Sequence, residues 1–227
     1  ESEYSRIIKS YPSKINHTVI PNGVDQHLFK RNFSVEKDPS LVLCVARIEG
    51  IKNQLNLIKA LNNTRFKLVM IGSHAPNQKP YYDECRRIAA SNVTFINHIP
   101  QKELLTYYEQ AKVHILPSWF ETTGLSSIEG AVMGCNIVIT DRGDAKEYFG
   151  NHAFYCNPGR PESIFEAAKK ASESPYDENL YNLILKKYTW QQAATETLKA
   201  YKQIVNYEEF EDCNTGDQGH TELLRGI

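Results

Sequence analysis

Six short runs of β-branched and aliphatic residues recur through the middle of the chain, and segments with helical spacing fill four of the five gaps between them. The runs are Leu41–Ala46, Phe66–Ile71, Val93–Ile96, Val113–Leu116, Asn136–Thr140 and Ala153–Tyr155. The helical segments are Asn53–Leu61, Tyr81–Ala90, Lys102–Ala111 and Leu125–Met133, followed by Pro161–Ala171 and Trp190–Val205. A strand that is apolar at every position is buried on both faces, and strands separated by helices must cross over to pair in parallel. Right-handed crossovers then place helices on both sides of the sheet. The expected fold class is therefore α/β: a doubly wound, Rossmann-like parallel sheet of about six strands, from about Ser40 to Ala171. In such sheets ligands bind beyond the carboxyl ends of the strands. That directs attention to the loops after Ala46, Gly72, Ile96, Leu116 and Thr140.

Charge and composition exclude several function classes. Lys+Arg 26 against Asp+Glu 27 in 227 residues leaves a formal net charge of -1. A broad electrostatic grip on nucleic acid is not expected from that balance. No apolar run approaches the ~18 residues that cross a bilayer, and the polar opening Glu1–Lys9 has no leader pattern. The cysteines at 44, 85, 135, 156 and 213 never form a C-x-x-C pair, so neither a zinc site nor a disulfide framework is indicated. Cys44 and Cys135 beside apolar runs read as small core residues. A short strand at Thr18–Ile20 precedes the turn signal Pro21-Asn22-Gly23. The stretch 207–227, rich in acidic residues and then in Gly, Asn, Asp and Gln, reads as a solvated, disordered tail.

Two loops carry candidate chemistry. Arg47-Ile48-Glu49-Gly50-Ile51-Lys52 runs from the end of the first strand to a helix start. Two cations flank a place where backbone N–H groups point outward, which suits a phosphate or diphosphate. The glycine pattern fits neither G-x-G-x-x-G nor a P-loop, and Arg47 and Lys52 as solvated surface charges is the competing reading. The second loop is Pro117 to Leu125. Glu121 sits at the carboxyl edge, and Glu129 falls inside the following helix on a largely apolar row. A half-buried carboxylate needs donors. A ligand's vicinal hydroxyls would supply two, while partners within the protein would equally satisfy it.

The stretch Glu121–Glu129 resembles the E-x7-E motif of the group 1 glycosyltransferases, the retaining family four with a GT-B fold. Other pieces follow in the family's order: Val19–Asp25 resembles its hinge, and Val45-Ala46-Arg47 with Lys52 its phosphate-binding basic pair. Asn92–Phe95 with His98-Ile99-Pro100 resembles the segment beside the base, Thr140-Asp141 and Glu147 a later block, and Trp190–Tyr201 the closing helix. The resemblance spans about Ser2 to Val205. Thr123-Gly124 stands where the family usually has Phe-Gly, and Asp144 replaces a usual glycine.

The resemblance implies a role for each matching residue. Arg47 and Lys52 would hold a donor diphosphate, Glu129 the ribose hydroxyls, and Glu121 the sugar hydroxyls. Thr122, Thr123, Gly124 and Leu125 would approach the sugar or phosphate, and main-chain groups near Ile99 would read the base. Arg47, Lys52 and Glu121 are the candidate catalytic residues. No metal or other cofactor is expected, because fixed cations and a helix N-terminus would take up the leaving-group charge. The domain expectation is 1–39 as hinge and remnant of an N-terminal domain, 40–206 as the nucleotide-sugar-binding domain, and 207–227 as the tail. The implied partners are a UDP-, GDP- or ADP-linked sugar, a facing N-terminal GT-B domain, and a glycan or glycoconjugate acceptor. A cytoplasmic setting is expected, with any membrane contact made through the facing domain. A non-catalytic nucleotide-sugar-binding or interaction module and a GT-B sugar-nucleotide epimerase are the alternatives.

Overall fold

The computed structural model describes residues 2–11 and 17–205. The acidic tail at 207–227 and Cys213 lie outside the described residues. The elements run α1 (Ser2–Ser10), β1 (Asp38–Val45), α2 (Gln54–Leu61), β2 (Lys67–Ile71), α3 (Lys79–Ile88), β3 (Val93–Ile96), α4 (Gln101–Gln110), β4 (Ala111–Leu116) and α5 (Leu125–Val132). They continue with β5 (Asn136–Thr140), α6 (Ala145–Phe149), β6 (Phe154–Cys156), α7 (Pro161–Glu173), α8 (Glu178–Lys187) and α9 (Trp190–Ile204).

All six expected strands form and pair in parallel, in the order β3-β2-β1-β4-β5-β6. The order reverses between β1 and β4, so the loops after these two strands diverge and leave a crevice at the carboxyl edge. Alternation along each strand divides the core between the two faces. On β1, Leu43 packs with Tyr108, Ile128 and Ile139. Val42 and Cys44 pack on the opposite side with Leu57, Leu68 and Ile164. Both layers are dry, which accounts for the unbroken apolar runs in the sequence. Cys44, Cys85, Cys135 and Cys156 are all buried free thiols, and burial pushes Cys44 up to about 12.

The chain departs from the sequence expectation in its connections. Thr18–Ile20 forms no strand; the pairing lies further on, at an isolated parallel bridge between Val24 and Thr189. The Val24 amide donates to Tyr188 O at 2.9 Å, and the Trp190 amide donates back to Val24 O at 3.2 Å. A Cβ on Gly23 would stand 2.3 Å from the Thr189 carbonyl carbon, so only glycine permits this approach. Three helices, α1, α6 and α8, were not expected from the sequence. Asp177 opens α8 by accepting from the Asn179 amide. Among the described residues no helix is long and apolar enough to cross a membrane.

Candidate functional site

A cleft of about 250 Å³ opens at the switch point between β1 and β4. Val45, Ala46 and Lys52 form its β1 wall. Leu116 and the run Glu121 to Ser126 form its β4 wall, and Asn22 closes one end.

Lys52 reaches the cleft because the loop after β1 is pinned. Residues Gly50–Lys52 make a 3-10 turn that ends on Asn53 in the left-handed region at φ 61°. Asparagine tolerates that conformation better than most residues. The buried Asn53 amide donates to Pro117 O at 3.0 Å and to Pro158 O at 2.7 Å, joining the loops after β1, β4 and β6. The Trp119 amide adds a bond to Ile51 O at 2.8 Å.

Glu121 is the hub of the opposite wall. Its Oε2 accepts from Lys52 Nζ at 2.8 Å and from the buried Ser118 hydroxyl at 3.0 Å. Its Oε1 accepts from the Gly124 amide at 3.2 Å. An ionised carboxylate has about four lone-pair sites, so Oε1 retains capacity on the cleft side. The Glu121 backbone is clasped as well, since its carbonyl accepts from the Asp144 amide at 2.8 Å and its amide donates to Arg142 O at 3.2 Å. Gly143 makes this clasp possible: it has φ +98°, and a Cβ there would lie 2.2 Å from Glu121 O.

Helix α5 opens directly onto the cleft, with Gly124 as its cap at φ 71° and no side chain capping it. Leu125 and Ser126, its first two residues, line the cleft. Amides in a first turn have no carbonyl partner within their own helix, and they carry the positive end of the dipole. Thr122 is exposed, while Thr123 is buried. The Thr123 hydroxyl accepts from Asn22 Nδ2 at 2.9 Å and stands 3.4 Å from the Tyr148 hydroxyl.

The remaining expected residues stand apart from the cleft wall. Arg47 follows Ala46 directly, but its side chain is 74% exposed and ion-paired with Glu49 at 3.0 Å. Glu129 lies one turn beyond Ser126 along α5. It accepts from the Tyr108 hydroxyl at 3.0 Å, and the Gln101 side chain lies close to it. Burial pushes its carboxyl up to about 7, against the opposing effect of those two side chains. Gln101 starts α4 immediately after Ile99 and Pro100, so the Ile99 loop and Glu129 are neighbours. Among the described residues no cluster of three or more His, Cys, Asp or Glu side chains is arranged to hold a metal ion.

Sequence reasoning missed Asn53 and Tyr108, and Arg6 as the partner of Asp144. Asn53 signals its role only through a left-handed conformation, and Tyr108 only through its tertiary contact. Asp144, flagged as a departure from the family pattern, is a buried carboxylate paired bidentately with Arg6 of α1 at 2.5 Å. The Arg6 guanidinium also lies 5.1 Å over the Phe120 ring, next to Glu121.

The family model "Glycosyl transferases group 1" matches residues 25–190. A probable sucrose-phosphate synthase of Thermosipho melanesiensis is 28% identical, over 95% of this chain and 55% of that protein. The structure of Alr3699/HepE from Anabaena, in complex with UDP and glucose, superposes with a TM-score of 0.70 at 18% identity, covering 83% of this chain and 57% of that one. The C-terminal domain of a group 1 glycosyl transferase (LpcC) from Francisella tularensis superposes with a TM-score of 0.58 at 18% identity, covering 74% of this chain and 99% of that domain. The chain spans about half the length of the curated relatives it matches.

Proposed function

The chain belongs to the group 1 glycosyl transferases and has the fold of their C-terminal domain; on that premise we propose that it binds a nucleotide-diphospho-sugar and supports sugar transfer from it, with retention of anomeric configuration, to a glycan or glycoconjugate acceptor. One observation carries the reading: Lys52, Glu121 and the open first turn of α5 share one cleft at the switch point.

Each feature has a chemical task. Cleaving the bond between the sugar and the diphosphate builds negative charge on the departing phosphate oxygen. Lys52 is held in place by Glu121, so it need not be reorganised as that charge appears, and the first-turn amides of α5 point the same way. Arg47, one residue past the cleft wall, joins Lys52 by exchanging Glu49 for the diphosphate. Glu121 Oε1 takes a sugar hydroxyl with its remaining lone pair. Thr122, Thr123 and Leu125 shape the sugar end. Glu129 accepts from the ribose diol, beside the main chain at Ile99 that reads the base. In this account the diphosphate charge is met by side chains and amides, without a metal ion.

The facing domain with the acceptor site belongs to the part of such enzymes that this chain does not span. This chain alone therefore binds donor but transfers sugar poorly. A thermal-shift panel of UDP-, GDP- and ADP-linked sugars tests the reading, since a ligand that binds only the folded state raises its midpoint. Stabilisation by one base series supports the reading. No shift with any of them favours the interaction-module alternative. Release of free epimerised sugar favours the epimerase, and robust transfer by this chain alone contradicts the need for a facing domain.

A further inference from the structure

Tyr108 of α4 is wholly buried, yet its hydroxyl sits at the edge of the site. It stands 3.0 Å from Glu129 Oε2 and 3.0 Å from the carbonyl of Ser126, a residue of the cleft wall. The ring packs edge-on to Phe29 and tilted against His114. Packing volume alone would be served by phenylalanine, so the hydroxyl is the part that needs a reason.

A phenol has one proton to give, and here two acceptors compete for it. When Glu129 is ionised the proton goes to the carboxylate, because a charge-assisted bond is roughly twice as strong as a neutral one. That bond occupies Oε2 and fixes the carboxylate plane. Oε1, with its lone pairs, is then left to meet hydroxyls from a ligand.

We propose that Tyr108 is a positioning residue for donor binding, holding the Glu129 carboxylate in the orientation that accepts the vicinal ribose hydroxyls of the nucleotide. This rests on the reading of Glu129 given above. The fixed orientation lets both hydroxyls bind without first ordering the carboxylate.

The test compares UDP (GDP or ADP taking its place throughout where the thermal-shift panel selects that base) with its 2′,3′-dideoxy analogue by calorimetric titration of the 227-residue chain and two variants. Glu129→Gln reports on the underlying reading: it should remove the preference for UDP over the dideoxy compound, and an unchanged preference overturns that reading. Tyr108→Phe reports on the inference. UDP should bind about tenfold more weakly, the size of one hydrogen bond to a charged group at the low end of its range, while the dideoxy compound binds as before. Equal weakening of both ligands, or of neither, overturns it, because a merely structural tyrosine would not distinguish a ribose from its dideoxy analogue. In the unsubstituted chain, the Tyr108 ring-carbon resonance next to the hydroxyl should shift with UDP and not with dideoxy-UDP. A resonance indifferent to both overturns the inference even if the phenylalanine variant fails to fold.

Discussion

Replacing Glu121 with alanine exposes how much of the cleft wall depends on one side chain. The substitution strands three donors at once: Lys52 Nζ at 2.8 Å, the Ser118 hydroxyl at 3.0 Å and the Gly124 amide at 3.2 Å. Removing one partner of a fully buried ion pair costs about 3–5 kcal/mol. Lys52 retains 21% exposure, so water recovers part of its solvation and about 2 kcal/mol is a better figure. Ser118 and Gly124 are buried, and their two weaker bonds add about 0.5 kcal/mol each. The expected loss is thus about 3 kcal/mol, which for a domain of this size lowers the melting midpoint by roughly 6–12 °C. The double variant Lys52→Met/Glu121→Leu removes both charges together and should recover much of that loss, although it abolishes donor binding. Calorimetric melting of the three proteins decides the matter. A drop below about 3 °C for Glu121→Ala would mean the pair is solvated in solution, and the cleft-wall argument would be wrong.

Two further outcomes follow from the same geometry. Gly143→Ala places a methyl group 2.2 Å from Glu121 O at a φ of +98°. Overpacking and left-handed strain together should cost about 3 kcal/mol in denaturant unfolding, and a cost under about 1 kcal/mol would show that the clasp yields freely. Glu129 supplies a pH signature. Its folded value of about 7 lies above its ordinary 4.5, so between these the folded state binds more protons than the unfolded one, and stability falls as pH rises from about 4.5 to 7. Glu129→Gln should flatten that limb and be the more stable protein at pH 8; parallel stability profiles for the two proteins would place the carboxylate in water.

The sheet was legible in the sequence because both of its faces are dry, so each strand announces itself as a continuous apolar run. Its crevice followed from the crossover rule; Lys52 and Glu121 stood out by residue type in the loops after predicted strands, and Glu129 by its place on an apolar row of the following helix. Less visible were elements whose signal is short or tertiary. Helix α6 has only five residues, and α8 carries its apolar spacing, Leu180 and Ile184, inside a polar stretch that reads as loop. Thr18–Ile20 has β-branched residues, yet the segment pairs through Val24, where Gly23 allows the approach to Thr189. The Arg6–Asp144 pair joins residues 138 apart, and no local pattern encodes such a contact. Arg47 and Lys52 look equivalent as letters. Only Lys52 lies on the pinned turn that aims it at Glu121, whereas Arg47 reaches outward to Glu49.

The central claim is that a lysine fixed beside a carboxylate binds the diphosphate of an activated sugar. Its most direct test is calorimetric titration of UDP and of uridine (or the guanosine or adenosine pair, where the thermal-shift panel selects that base) into the chain and into Lys52→Ala. The account predicts that the variant loses about 1.5–3 kcal/mol of UDP affinity, roughly ten- to a hundredfold, while uridine affinity is unchanged. Equal UDP affinity in the two proteins would contradict it.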